Sequence, residues 1–264
     1  IPPEVSLFEP PDGAILGKAQ DGNITTPEFE LSLATAKVSG LPEGRVAELV
    51  VNGDSANPRL TQVFRGMAIW QLVPLLEGQN SLQAKVRDDA GNVGESARIT
   101  VTVDTQAPSI VFQSPRDGAV LNRSKDTSPE PGMQADYLLL VQGVPDATDV
   151  WLCSNRGTGD PCPASGEGYS QLPPAGKVYS AQARLTVTTP EGDHELRGEV
   201  EDPAGNRAAS EPIRIRIDSV QPKVTSIAVA QDADSNGTLN AAEDTDPAPG
   251  FQATFIVETS GLEG

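Results

Sequence analysis

Residues 77–108 read EGQNSLQAKVRDDAGNVGESARITVTVDTQAP, and residues 191–222 read EGDHELRGEVEDPAGNRAASEPIRIRIDSVQP. At a constant offset of 114, with no gap, Glu77, Gly78, Leu82, Val86, Asp88, Ala90, Gly91, Asn92, Asp104 and Pro108 each meet the same residue type. Self-similarity of this kind marks a tandem of supersecondary units. Within the first copy Leu82, Ala84 and Val86 alternate with polar residues, as do Ile99, Val101 and Val103 with Arg98, Thr100 and Thr102. In the second copy Ile213, Ile215 and Ile217 alternate with Arg214, Arg216 and Asp218. A period of two with one wet face is the pattern of an antiparallel strand packed on one side only.

Working outward, PEVSLFEPPDGAIL from Pro3 aligns with PSIVFQSPRDGAVL from Pro108 at an offset of 105. The second unit is therefore nine residues longer in its middle, where Cys153 and Cys162 lie. A third copy opens at PKVTSIAVA from Pro222, and GFQATFIVETSGLEG resembles PEFELSLATAKVSGLPEG from Pro27. The expected organisation is one unit over 1–107, a second over 108–221 with an insertion, and the first part of a third over 222–264. In the first unit the alternation predicts strands near 4–9, 27–34, 46–52, 67–73, 80–87 and 97–104. Short strands divided by PDG, EG and AGN turns predict an all-β fold of tandem antiparallel β-sandwiches. No stretch carries a helical period.

Asp88-x-Ala90-Gly91-Asn92, followed by a strand ending Val103-Asp104-Thr105-Gln106-Ala107-Pro108, resembles the bacterial immunoglobulin-like repeats of large surface proteins and adhesins. Leu75, Gly78 and Asn80 resemble that family's Leu-x-x-Gly-x-Asn hairpin entry. The second copy keeps Asp202, Ala204, Gly205 and Asn206, but its linker, Ile217-Asp218-Ser219-Val220-Gln221-Pro222, matches more loosely. The resemblance implies immunoglobulin-like sandwiches. It says little about function, because the fold hosts many roles.

Composition bounds the rest. The 264 residues carry a net charge of −18, with only 4% aromatics. A surface this acidic repels phosphate backbones and anionic lipids, which disfavours nucleic acid and membrane surfaces as partners. No apolar run is long enough for a transmembrane helix, and the opening IPPEVSLFEPPDG lacks the regions of a signal peptide. The chain thus reads as a mature or excised segment. Cys153 and Cys162, in WLCSNRGTGDPCP with no histidine nearby, do not make a zinc site. A disulfide is the better reading. Closing that loop would contribute about 2–3 kcal/mol on the entropy model and place the chain in an oxidising compartment.

The sharpest local motif runs from Asp232 to Glu243. Asp232, Asp234, Asn236, Gly237, Thr238, Asn240 and Glu243 fit the calcium-loop pattern D-x-[DN]-x-[DN]-G-x5-E. Calcium takes six to eight oxygens, and a coiled loop offers them at alternate residues. Asp232, Asp234 and Asn236 would ligate by side chain and Thr238 by its carbonyl. Asn240 would act directly or through water, and Glu243 with both oxygens. The loop resembles those of EF-hands and dockerins, although VTSIAVA before it is strand-like and Pro247 and Pro249 follow. The bland alternative is an acidic solvated turn. The Asp-x-Ala-Gly-Asn segments also admit two readings, a capped hairpin turn or a junction calcium held with help from Asp88 and Asp104. Turn chemistry alone explains the residue types, so the turn is preferred.

Other candidates are weaker. Trp70 and Trp151 sit in strand-like runs and read as core. Tyr169 and Tyr179 are the loop-proximal aromatics that could stack a sugar. His194 reads as an exposed strand residue, and no nucleophile or phosphate-loop motif points to an enzyme. The expectation is a non-catalytic, calcium-stabilised stalk segment of a bacterial cell-surface or secreted adhesin-like protein. Its partners would be neighbouring repeats of a longer chain. One alternative is a module binding an extracellular glycan or protein through the 153–179 insertion. Another is a subunit or accessory domain of a surface filament.

Overall fold

The computed structural model describes residues 1–129, 132–165, 168–230, 237–238, 240–244, 248–250 and 252–261. The first unit holds β1 (Glu4–Glu9), β2 (Ile15–Leu16), β3 (Glu30–Ser39), β4 (Val46–Val51), β5 (Arg59–Gln62), β6 (Met67–Pro74), β7 (Gly78–Arg87), β8 (Val93–Glu95) and β9 (Ile99–Val103). One sheet runs β1-β3-β6 and the other β2-β9-β7-β4-β5, with β8 added to β7. All pairings are antiparallel except β2 with β9.

The second unit holds β10 (Ser109–Ser114), β11 (Ala119–Asn122), β12 (Met133–Gln142), β13 (Asp149–Ser154), β14 (Ser170–Gln171), β15 (Gly176–Tyr179), β16 (Gln182–Thr189), β17 (Gly192–Glu201), β18 (Arg207–Ala209) and β19 (Ile213–Asp218). Its strands follow the order β10-β12-β16-β15-β13-β17-β19-β11. Here β15 bonds to both β16 and β13, so the two layers join along one edge. The third segment contributes β20 (Lys223–Val229) and β21 (Phe255–Ser260), paired antiparallel as β1 pairs with β3 and β10 with β12.

Alternation puts the apolar residues inside. Along β16 every second residue, from Ala183 through Leu185 and Val187, is buried. Leu82, Ala84, Val86, Ile99, Val101 and Val103 join the first core with Trp70, Leu31 and Leu49. Tyr137, Leu139, Leu152, Leu196, Ile215 and Ile217 belong to the second. The two cores share no residue. Each fully buried aliphatic side chain contributes about 1.5–3 kcal/mol, which lets cores with few aromatics hold the sandwiches.

Several of the identities shared by the units are caps. Asp12 Oδ1 accepts from Thr100 N at 2.8 Å, and Asp117 Oδ1 from Arg214 N at 2.7 Å. Ser96 and Ser210 each accept a β7 or β17 amide at 3.0 Å. Glu77 binds the N–H and hydroxyl of Thr105, both at 3.0 Å, and Glu191 does the same for Ser219. The last pair ties each linker to the unit it leaves.

Two expectations about the strands need correcting. The strand expected at 27–34 begins at Glu30 and continues to Ser39. Asp21 Oδ1 accepts from Asn23 N and Glu30 N, which holds the preceding segment in a loop. The strand runs on because small Ala34, Ala36 and Val38 fit inside between β1 and β6. His194 is buried, not exposed.

Candidate functional site

Three places carry chemistry beyond the scaffold: the disulfide-looped insertion, the junction of the first two units, and the 232–243 loop.

In the insertion Cys153 lies on β13 and is joined to Cys162, with a Cα–Cα separation of 6.2 Å. Residues 194, 196, 198 and 200 of β17 face the core, so Glu195, Arg197, Glu199 and Glu201 point from the other face. The inserted loop folds over that face. Arg197 lies over the Tyr169 ring at 4.8 Å, and the Tyr169 hydroxyl donates to Glu195. That hydrogen bond holds the Glu195 carboxyl below its usual range. Burial, followed by the same contact, raises the Tyr169 phenol. Arg207 Nη1 donates to Pro163 O at 3.1 Å, and Ala164 N donates to Glu199 Oε2 at 2.6 Å. Tyr169 is therefore a brace between loop and sheet, whereas Tyr179 is exposed. Trp151 pairs across from Glu199 on this outer face and is only half-buried, unlike Trp70, which is core and donates its Nε1–H to Arg59 O at 2.9 Å.

Beneath the same loop, Ser154 Oγ lies 3.0 Å from His194 Nδ1, and His194 Nε2 lies 2.7 Å from Pro190 O. A carbonyl can only accept, so Nε2 carries the proton and Nδ1 accepts from the Ser154 hydroxyl. The first unit solves the same problem with Asn80, whose Nδ2 donates to Leu76 O at 2.6 Å, again four residues back. His194 is thus a turn fastener, and Ser154 beside it is fully buried. Burial lowers the imidazole below its ordinary 6.5. Unfolding then takes up a proton as the pH falls through 6.5, so the second unit loses stability from that point down to the folded-state value and no further on this account. Melting between pH 7.5 and 5.5 should show this loss, and His194→Asn should flatten it.

At the junction, β9 and β10 are separated only by residues 104–108. The Asp202–Asn206 turn of the second unit is seated against the first. Asn206 Nδ2 donates to Asp104 O at 2.8 Å, and Asp202, Ala204 and Asn206 are all buried. Opposite them Gly17 is so close that a Cβ would lie 2.1 Å from Ala204 O. The equivalent turn of the first unit, at Asp88–Asn92, is not buried.

Asp88 and Asp104 do not meet. Gly78 of β7 pairs with Val103, which places Asp104 at one end of the ten-residue β7 and Asp88 at the other, roughly 30 Å apart at strand rise. Asp88 accepts from Asn92 N and Nδ2, both at 2.8 Å, and the Asn92 side chain holds its carboxyl below the ordinary value. This is a capped turn. The acidic residue that comes with the partner turn of Asp104 is Asp202, bonded to Asn206 in the same way.

In the calcium-like loop, Asp232, Asp234 and Asn236 lie outside the described residues. Gly237 has φ of 77°, the left-handed turn that position six of such a loop requires. Glu243 Oε2 accepts from Asn240 N and Nδ2 at 2.9 and 2.8 Å, which closes a short turn between these two residues.

Residues 2–105 match the family described as bacterial Ig-like domain, which spans all of β1–β9. No curated protein matches the chain. Among solved structures it is similar to the fibronectin(III)-like modules of Clostridium thermocellum CbhA, with 15% identity over 81% of this chain and 92% of that one and a TM-score of 0.44. It is also similar to a 1.5-MDa bacterial ice-binding adhesin, with 15% identity over 89% of this chain and 71% of that one and a TM-score of 0.38. A tetra-tandem repeat from the extending region of a large adhesion protein matches at 14% identity over 86% of this chain and 52% of that one, with a TM-score of 0.33. The chain is all-β, built of immunoglobulin-like sandwiches in tandem. Among the described residues no helix is long and apolar enough to cross a membrane.

Glu199, Gly17 and the Asn206–Asp104 contact were missed by sequence reasoning. The first two had a signal in the repeat alignment, whereas Asn206 and Asp104 are identical in both copies. Glu199 replaces Lys85, and Gly17 stands where the second unit has Asn122.

Proposed function

We propose that the chain is a non-catalytic stalk segment of a bacterial surface or secreted adhesin-like protein, with units over 1–107 and 108–221 and the opening of a third over 222–264. The junction carries this reading. A five-residue linker, pinned to its own unit through Thr105 and Glu77 and covered by the next unit's turn, leaves little room for the sandwiches to swing. A binding protein would need presentation of a ligand surface. A stalk needs only direction, and direction is what this contact supplies. The exposed Val224, Ile227, Phe255 and Val257 of β20 and β21 fit the opening strand pair of a third sandwich.

Calcium is the stabilising ion in this reading. Asp232, Asp234, Asn236, Thr238, Asn240 and Glu243 would hold it. A ligand present at 100 times its dissociation constant stabilises the state that binds it by about 2.7 kcal/mol. Chelation should therefore lower the melting temperature of the full chain, and Asp232→Ala should remove part of that response. Unchanged melting curves in both tests would overturn the calcium reading and leave the stalk reading standing on the junction.

A further inference from the structure

Where the inserted loop crosses β17, Cys153 Sγ, Cys162 Sγ and a carboxylate oxygen of Glu199 lie within 4.8 Å of one another. All three residues are buried, Glu199 completely. Its Oε2 is oriented by Ala164 N, but Oε1 has no hydrogen-bond partner among the described residues. An unpaired buried carboxylate oxygen is costly, and no part of the stalk reading requires one.

We propose that, once the disulfide is reduced, Cys153, Cys162 and Glu199 form a site for Zn2+, with water as the fourth ligand. A dithiol reductant cleaves the S–S bond, is itself oxidised to its cyclic disulfide, and leaves two Cys thiols. Zn2+ then displaces one proton from each thiol to solvent and takes two sulfurs and one carboxylate oxygen. Tetrahedral zinc sets sulfur ligands about 3.8 Å apart, from Zn–S bonds of about 2.3 Å. The 4.8 Å cluster thus needs only local movement, which the inserted loop carrying Cys162 can provide. Charge favours the ion over the bare thiolates. The disulfide with Glu199 carries −1, and so does zinc with two thiolates and Glu199, whereas two thiolates and the carboxylate alone would bury −3. Two thiolates also select a thiophilic ion over calcium. The loop can then be closed by a covalent bond when oxidised and by an ion when reduced.

The test is a titration of the full chain with Zn2+, and with Co2+ as a spectroscopic probe, in excess calcium so that oxygen-only sites are filled. Oxidised protein serves as the blank. Reduced protein should bind one more Zn2+ per chain than oxidised protein, and Co2+ should show thiolate charge-transfer bands. Zinc should also raise the melting temperature of the reduced chain. Glu199→Gln keeps the shape and should weaken zinc binding at least tenfold, about 1.4 kcal/mol. Equal zinc uptake by oxidised and reduced protein would overturn the site, as would undiminished binding by Glu199→Gln. The Cys153→Ser/Cys162→Ser chain guards against unfolding. If it binds as much zinc as the reduced wild type, or if the reduced wild type unfolds and zinc does not restore it, the proposal fails.

Discussion

Leu82→Ala should lower the melting of the first unit alone, and Leu196→Ala that of the second alone. The two leucines occupy the same place in their units, 114 residues apart, and both are completely buried. They belong to cores that share no residue. Truncating a buried leucine removes its transfer free energy and leaves a cavity, at a cost of about 2.7–5 kcal/mol. In a domain of this size each kcal/mol moves the midpoint by about 4–8 °C, so each variant should lower its own unit's midpoint by more than about 10 °C and leave the other unit's in place. Calorimetry would show it even if the wild-type transitions overlap. A single transition that shifts as a whole in both variants would mean that the junction couples the sandwiches into one folding unit. That outcome would demand far more from the junction than one amide hydrogen bond and one close backbone contact, since a typical hydrogen bond contributes about 0.5–1.5 kcal/mol net.

The repeat made the scaffold readable. A side chain that must face inward every second residue, and an aspartate or serine that must cap a neighbouring amide, recur because each sandwich needs them. Leu82 with Leu196, Asp88 with Asp202 and Ser96 with Ser210 are of this kind. What the repeat could not carry is what the units do not share. His194 looked exposed because it replaces an asparagine in an alternating strand. Its phase with Leu196 and Val200 on β17 already puts it on the core face, and the Pro190 O contact at 2.7 Å shows what the buried ring does there. Trp151 looked like core because aromatics in strands usually are. It instead faces outward across from Glu199 and is half-buried. Asp88 and Asp104, the pair weighed against the preferred turn reading for a junction calcium, are separated in space by a ten-residue strand. Glu199 is one acid among many in a chain of net charge −18. Only the fold of the inserted loop shows that it is buried against the cysteines.

Gly17→Asn should open the junction while leaving both sandwiches folded. The glycine is not there for its backbone. Its φ of −105° and ψ of −169° are ordinary extended values that asparagine adopts without strain. Asn122 fills the same position in the second unit, where its side chain accepts from Ser124 N at 3.0 Å and caps the following turn. The substitution therefore costs the first unit nothing locally. What forbids it is space, because its Cβ would sit 2.1 Å from Ala204 O and 3.2 Å from Ala204 Cβ. Backbone cannot yield by more than an ångström without the Asp202–Asn206 turn lifting away, and Asn206 Nδ2 then loses Asp104 O. Small-angle scattering should show the pair of units sampling a broader and on average shorter range of lengths than wild type. The melting of each unit should stay within about 0.5 kcal/mol of its wild-type stability. Asn206→Ala removes the hydrogen bond but not the close packing, and its scattering should fall between the two. If Gly17→Asn scatters as wild type does, the contact does not orient the two units, and any restraint between them comes from linker residues 104–108 alone.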